Sequence, residues 1–378
     1  MRDCNRQREG TGSEPRRNLT HMRACYLIGL FVAGATSLQL GRVPSMTRSH
    51  SVMMSEAEKP ADETHKVVVV SHAGGRMGTL LVAQLREEFG ECVTVRAIVR
   101  SEAESDKLLC DIYGVKLVNG SMAPLVPSCG SWVTPFVVDA DCTDDDLRKA
   151  FAGATSAVLC DALHTELVAA DDSPGKRTMR VPEGGEQARR LPRMLKAASA
   201  ASPSLAHVVL RSSMGIACAA SCGPSADPES SPRECDADAM RAIDRMGGSA
   251  ILAAVGESEE QLASSGLPYT VLRLGALTDD AGMIPLAFGA NDDLLLQSFE
   301  LTEGDEPPML SRADAARAAI SVLQTGSPLH GATFECAWDY KWARSSIGTE
   351  EAVLRAGRQD MRAGMLEAAR GETNYRSL

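Results

Sequence analysis

Three positions at intervals of three, His72, Gly75 and Gly78, end a run of four valines in "KVVVVSHAGGRMGTLLVAQL", residues 66–85, with Gly74 between them. A strand that stops at a glycine cluster and resumes as an apolar-periodic helix can turn backbone N–H groups toward a phosphate. In a G-x-x-G-x-x-G turn the middle glycine lets backbone approach a diphosphate, and the last lets helix and strand pack closely. Histidine fills the first slot here. That slot makes the tight turn, and histidine accepts positive φ more readily than most residues, though at a cost. The plainer reading of the same residues is a strand-to-helix turn with no ligand.

The elements that must position this turn follow in order. Lys66–Val70 reads as a first strand, Met77–Phe89 as a first helix and "VTVRAIVRS" (Val93–Ser101) as a second strand, at the spacing of a dinucleotide-binding unit. With 378 residues and 44% hydrophobic content, the chain has room for one large α/β domain or two modest ones. Aromatics are only 4%, too few for a base-stacking platform. The first 58 residues hold eight arginines and five acids, so the remainder carries an acidic excess of 14, a poor match for nucleic acid. The eleven cysteines suggest neither a metal site nor a disulfide framework. Ordinary thiols in a reducing compartment are expected, with a redox role for Cys218, Cys222 or Cys235 as the alternative.

Residues 1–58 read as a targeting leader. "CYLIGLFVAGA" (Cys25–Ala35) is an eleven-residue apolar run, short for a membrane span, within a signal-like segment 22–35. Residues 36–55 are acid-free and rich in Ser, Thr and Arg, like a transit peptide. The pair resembles the bipartite leader of an alga with complex plastids. The secretory pathway, a mitochondrion or a true start at Met22 are the alternatives.

Further stretches extend the pattern beyond one turn. "FVVDADCTDDDLRKAFAGATSAVLCDA", "AHVVLRSSMGI", "EEQLASSGLPYTVLRLGAL" and "MLSRADAARAAISVL" follow the glycine turn and "VRAIVRSEAESDKL" in order. Together they resemble the atypical short-chain dehydrogenase/reductase-like proteins of the NmrA-like kind, including plastid NAD(P)-binding proteins, over about 66–335. The resemblance implies a Rossmann-like α/β fold: a doubly wound parallel sheet with helices on both faces and a small C-terminal substrate region. A helical extension would follow over 336–378.

It also implies NADP, or NAD, as cofactor. His72, Gly75, Arg76, Met77 and Gly78 would hold the diphosphate, and Arg100 would meet the adenosine ribose. An arginine at that position suits a 2′-phosphate, so NADP is favoured. Asp141 would contact adenine. Ala162 after strand four, Ser212 and Ser213 after strand five, and Gly275 to Leu277 would line the nicotinamide end, with Leu274 replacing the family's proline.

The Tyr-x-x-x-Lys pair of standard members has no counterpart. The tyrosines are Tyr26, Tyr113, Tyr269, Tyr340 and Tyr375, and no lysine lies between Lys196 and Lys341. Ser213 and His164 remain as candidates for a catalytic group. A mobile loop over the cleft is expected at 217–238, and an insertion carrying Trp132 at 120–135. Two functions follow from these residues: an NADPH-dependent reductase working by direct hydride transfer, or a noncatalytic NAD(P)-binding sensor or assembly scaffold. A small-molecule substrate or a plastid protein would be the partner. No metal, nucleic acid or integral membrane span is expected.

Overall fold

The computed structural model describes residues 65–372 except for 119–120, 128–129, 139–141, 161–165, 170–176, 181–189, 202, 223–239, 242, 245, 297–307, 340–353 and 358. The chain divides into two units, Met1–Lys59 and Pro60–Leu378, and every described residue lies in the second.

Eight strands form the central sheet: β1 (Lys66–Val70), β2 (Val93–Val99), β3 (Val133–Val137), β4 (Ser156–Leu159), β5 (His207–Ser213), β6 (Tyr269–Leu274), β7 (Leu286–Gly289) and β8 (Ala332–Trp338). Their order across the sheet is β3-β2-β1-β4-β5-β6-β8-β7. Each pairing is parallel except β7 with β8. Val68 pairs with Val95 on one side and Ser156 on the other, so β1 is central and buried on both faces. That is why its sequence is a run of valines and not an alternation. The doubly wound sheet inferred from sequence is the fold, and the chain reverses its direction of winding between β1 and β4. In such sheets that switch point opens a crevice at the carboxyl ends of the strands.

Helices cover both faces. Val68 and Val70 face the layer made by α1 (Arg76–Phe89), α2 (Glu102–Tyr113), α7 (Arg312–Thr325) and α8 (Met361–Ala369). Val69 faces α3 (Asp144–Phe151), α4 (Arg190–Ala201) and α6 (Ser249–Ser264). A short α5 (Ile216–Cys222) follows β5 and packs on α6 through Ile216, Cys218, Ile251 and Leu252.

The structure corrects four details of the sequence reading. The third sheet strand starts at Val133, inside the stretch read as an insertion, while Val115–Val118 and Ser121–Pro124 form a separate antiparallel hairpin. Its alternating pattern looks half-buried, yet Leu117 and Met122 are 78% and 75% exposed. Trp132 meets Tyr113 edge-on at 6.0 Å and packs against the core. Residues 217–222 are helical, not loop. The last strand runs to Trp338, past the boundary at 335, and Met365 of α8 is buried in the same core. Finally, Cys222 is disulfide-bonded where a thiol was expected.

Candidate functional site

The turn after β1 explains its own residues. His72 takes φ 50°, the left-handed conformation that the first slot of the motif demands. Its carbonyl accepts from Gly75 N at 3.0 Å, and Ala73 N donates to Ile98 O at 3.0 Å, tying the turn to β2. A Cβ at Gly78 would collide with the His72 carbonyl and lie 2.7 Å from Ala73 Cα. One at Gly75 would overlap the His72 imidazole, which lies folded across the turn. The sequence therefore uses glycine where backbone meets backbone and places its one anomaly, His72, over the gap that glycine leaves.

The start of α1 is bare. Gly75 caps it without a side-chain hydrogen bond, and its first turn contains no acid. The N–H groups of Arg76, Met77 and Gly78 have no acceptor within the helix and, with the positive end of the helix dipole, favour an anion. These residues fit a dinucleotide diphosphate. Arg76 reaches away from the turn: 74% exposed, it pairs with Asp279 at 2.5 Å, and Asp279 also holds Arg312 at 2.6 Å. The pair of arginines thus joins the starts of α1 and α7.

Arg100 follows the last residue of β2, beside the turn. Its backbone N–H donates to Glu104 Oε2 at 2.8 Å, and its guanidinium donates to Glu104 Oε1 through Nε at 2.9 Å and through Nη2. Glu104 lies across Gly74, where a Cβ would sit 3.2 Å from its Cβ, Cγ and Cδ. Burial works against the Glu104 carboxylate, but the Arg100 hydrogen bonds and the nearby His72 hold its pKa below the usual value. The sequence pointed to Arg100 but not to Glu104. The signal was present as Ser101-x-x-Glu104, a helix-start pattern, and Ser101 does cap α2 by accepting from Glu104 N.

At the other end of the crevice the expected residues divide. Ser212 faces α6, where its hydroxyl donates to Glu259 at 2.5 Å; Ser213 lies on the opposite face of the strand and donates to the Met214 carbonyl at 3.1 Å. Gly275 packs against the Pro308 backbone, its Cβ position 3.0 Å from Pro308 C. Tyr269 starts β6 and so lies at the far end of the sheet from the crevice. Asp141, Ala162 and His164 lie outside the described residues.

Behind this end is a buried charge cluster that the sequence reading did not find. Arg273 makes a two-pronged pair with Glu259, at 3.0 and 2.8 Å. Asp292 is fully buried with φ 61°, and its carboxylate accepts from Gly215 N at 2.8 Å and Cys218 N at 2.9 Å, capping α5. Glu335 accepts in turn from Asp292 N and Leu294 N. Burial, then the Asp292 charge, push the Glu335 pKa up to about 8 against those backbone bonds.

A mostly parallel doubly wound sheet, whose winding switches beside β1, and a glycine turn opening onto a bare helix start define a dinucleotide-binding protein of the Rossmann class. The chain belongs to the NAD(P)H-binding family, whose model matches residues 133–325, from β3 through α7. It is similar to sanguinarine reductase of Eschscholzia californica, 27% identical over 274 residues that cover 70% of this chain and 86% of that protein. It also resembles "Uncharacterized protein At2g37660, chloroplastic" of Arabidopsis thaliana, 35% identical over 83 residues, 22% of this chain and 23% of that one. A short-chain dehydrogenase/reductase of Veillonella parvula, solved in complex with NADP, is 15% identical with a TM-score of 0.44, covering 72% of this chain and 94% of that one. The protein is thus NAD(P)-binding and oxidoreductase-like, with a nicotinamide dinucleotide as its cofactor. Among the described residues no helix is long and apolar enough to cross a membrane.

Proposed function

We infer that the chain is an NAD(P)H-dependent reductase that works by direct hydride transfer without a tyrosine–lysine pair. The observation that carries this reading is the start of α1, where unfilled N–H groups, the absence of an acid and the tight glycine packing suit a diphosphate. The reduced nicotinamide, when bound, supplies two electrons and a proton together as hydride to an electrophilic carbon. The protein's own residues bind and orient. The N–H groups of Arg76, Met77 and Gly78 take the diphosphate, Arg100 faces the adenosine ribose with donors for a 2′-phosphate, and Asp141, Ala162, Ser212 and Gly275 belong to the same cofactor set. A neutral acceptor then takes its balancing proton from water, with Ser213 and His164 as the side-chain candidates. The Eschscholzia relative, a reductase by name, supports the same reaction class. The word chloroplastic in the Arabidopsis relative's name supports reading the leader as a plastid address, which a fluorescent fusion of the full chain tests by its location.

A noncatalytic sensor or scaffold is the second reading, favoured by the His72 ring lying across Gly75. Titration of the full chain with NADPH and NADH, followed by nicotinamide fluorescence, tests the dinucleotide site that both readings need, and oxidation of bound NADPH by an added electrophilic acceptor belongs to the reductase alone. Saturable binding is expected, with His72→Gly tightening both cofactors because it relaxes the turn they share. Absence of binding by either cofactor, in wild type and in His72→Gly, would remove the reductase.

A further inference from the structure

The arginine at the end of β2 is not waiting for a phosphate. Two of its three guanidinium nitrogens and its backbone N–H are taken by one carboxylate, and that carboxylate comes from the next helix. Glu104 is the third residue of α2. A glutamate there ordinarily reaches back to the N–H of the capping residue, here Ser101. Instead it reaches one residue further, to Arg100, and lies over Gly74 with its side chain only 18% exposed. An acid is thus held beside the glycine turn at the end of β2, the place where dinucleotide folds put the acceptor for a ribose 2′-hydroxyl. It arrives there from α2, while the strand itself supplies the arginine that a 2′-phosphate would want.

We propose that Glu104 sets cofactor specificity: its carboxylate competes with a 2′-phosphate for Arg100 and accepts from a 2′-hydroxyl, so that the chain takes both NADPH and NADH. This rests on the dinucleotide reading above. With NADH bound, the Arg100–Glu104 pair stays closed and Glu104 takes the hydroxyl proton as a hydrogen-bond acceptor. With NADPH bound, Arg100 must leave Glu104 for the phosphate, which carries about −1.5 to −2 charges and then sits beside a carboxylate of like sign. The gain from the arginine and the cost of the glutamate offset each other. An Arg100 without Glu104 would favour NADPH strongly.

The test is calorimetric titration of the full chain with NADPH and with NADH. Wild type is expected to bind the two within about tenfold of each other. Glu104→Gln keeps the shape and removes the charge. It should tighten NADPH by about tenfold and weaken NADH by a few-fold, while Arg100→Ala cancels the gain in the double variant. A Glu104→Gln chain whose NADPH-to-NADH ratio stays within twofold of wild type overturns the proposal. So does a wild type that already prefers NADPH by more than about a hundredfold, a result that needs no variant to fold. Failure of wild type to bind either cofactor would instead bring down the dinucleotide reading, and this inference with it. Binding of both with an unmoved ratio brings down this inference alone.

Discussion

The two ends of the crevice are built on opposite plans. At the glycine turn the work is done by backbone and by missing side chains, and the charged groups around it, Arg76, Arg100 and Asp279, are at least a third exposed, Arg76 pairing with Asp279 and Arg100 with Glu104. At the far end the segment after β5 is held by carboxyl groups with almost no exposure, Asp292 and Glu335, beside the largely buried Arg273–Glu259 pair. Exposed pairs in water can exchange partners at little cost, whereas buried ones cannot lose a partner without leaving a charge stranded. The glycine-turn end is therefore adjustable and the far end fixed.

That contrast breaks most visibly at Arg273. Arg273→Leu leaves Glu259, largely covered, with the Ser212 hydroxyl but no cation and should cost about 3–5 kcal/mol of stability in urea denaturation, with most of it recovered when Glu259 is also made leucine. Cofactor affinity of the surviving folded fraction should not change. Gly78→Ala is the next largest, because its methyl meets backbone that cannot move aside; a loss of about 1–3 kcal/mol is expected, and here dinucleotide binding should vanish as well. A Gly78→Ala chain that still binds would show that the close packing of α1 on the turn is not what shapes the site.

The pH dependence of stability sharpens the comparison. His207, at the amino end of β5, sits 2.8 Å by Nε2 from Thr270 Oγ1, whose own proton goes to Leu329 O, so Nε2 carries the hydrogen and the buried Nδ1 stays bare. Burial, with His330 beside it, lowers its pKa to about 4, so its contribution is present above about 6.5 and is lost as pH falls toward 4. Glu335 behaves in the opposite sense. Its folded pKa is raised to about 8, so its contribution is full below about 4.5 and is lost as pH rises toward 8. Between 4.5 and 6.5 the two slopes cancel. From pH 6.5 to 8 stability should fall by about 2 kcal/mol, at 1.4 kcal/mol per unit, and Glu335→Gln should flatten that limb. The smallest effect belongs to the exposed end: Ser101→Ala removes the α2 cap for about 1 kcal/mol, seen as a small shift in melting temperature.

The same contrast decides what could be read in the sequence. The turn was legible because its glycines and its histidine act within seven residues of chain, and the parallel sheet because strand and helix alternate with the right periods. The β3 start was hidden by the hairpin before it, whose alternation mimics a core strand. Residues 217–222 looked like loop because the residue that caps their helix is Asp292, far along the chain. The lone charges in "YTVLRL" and "FECAW" were the visible trace of the buried cluster, but only strand order brings Arg273 and Glu335 near Asp292.

Distance along the chain also sets a timetable for the newborn protein. The glycine turn needs β2, whose Ile98 follows within a few tens of residues. The cap on α5 comes from Asp292, 77 residues after Gly215, so at about 5–20 residues per second the ribosome leaves α5 without its cap for roughly 4–15 s. Through that interval Ile216, Cys218 and Ala219 can meet α6 but lack the cap that fixes their own helix against it.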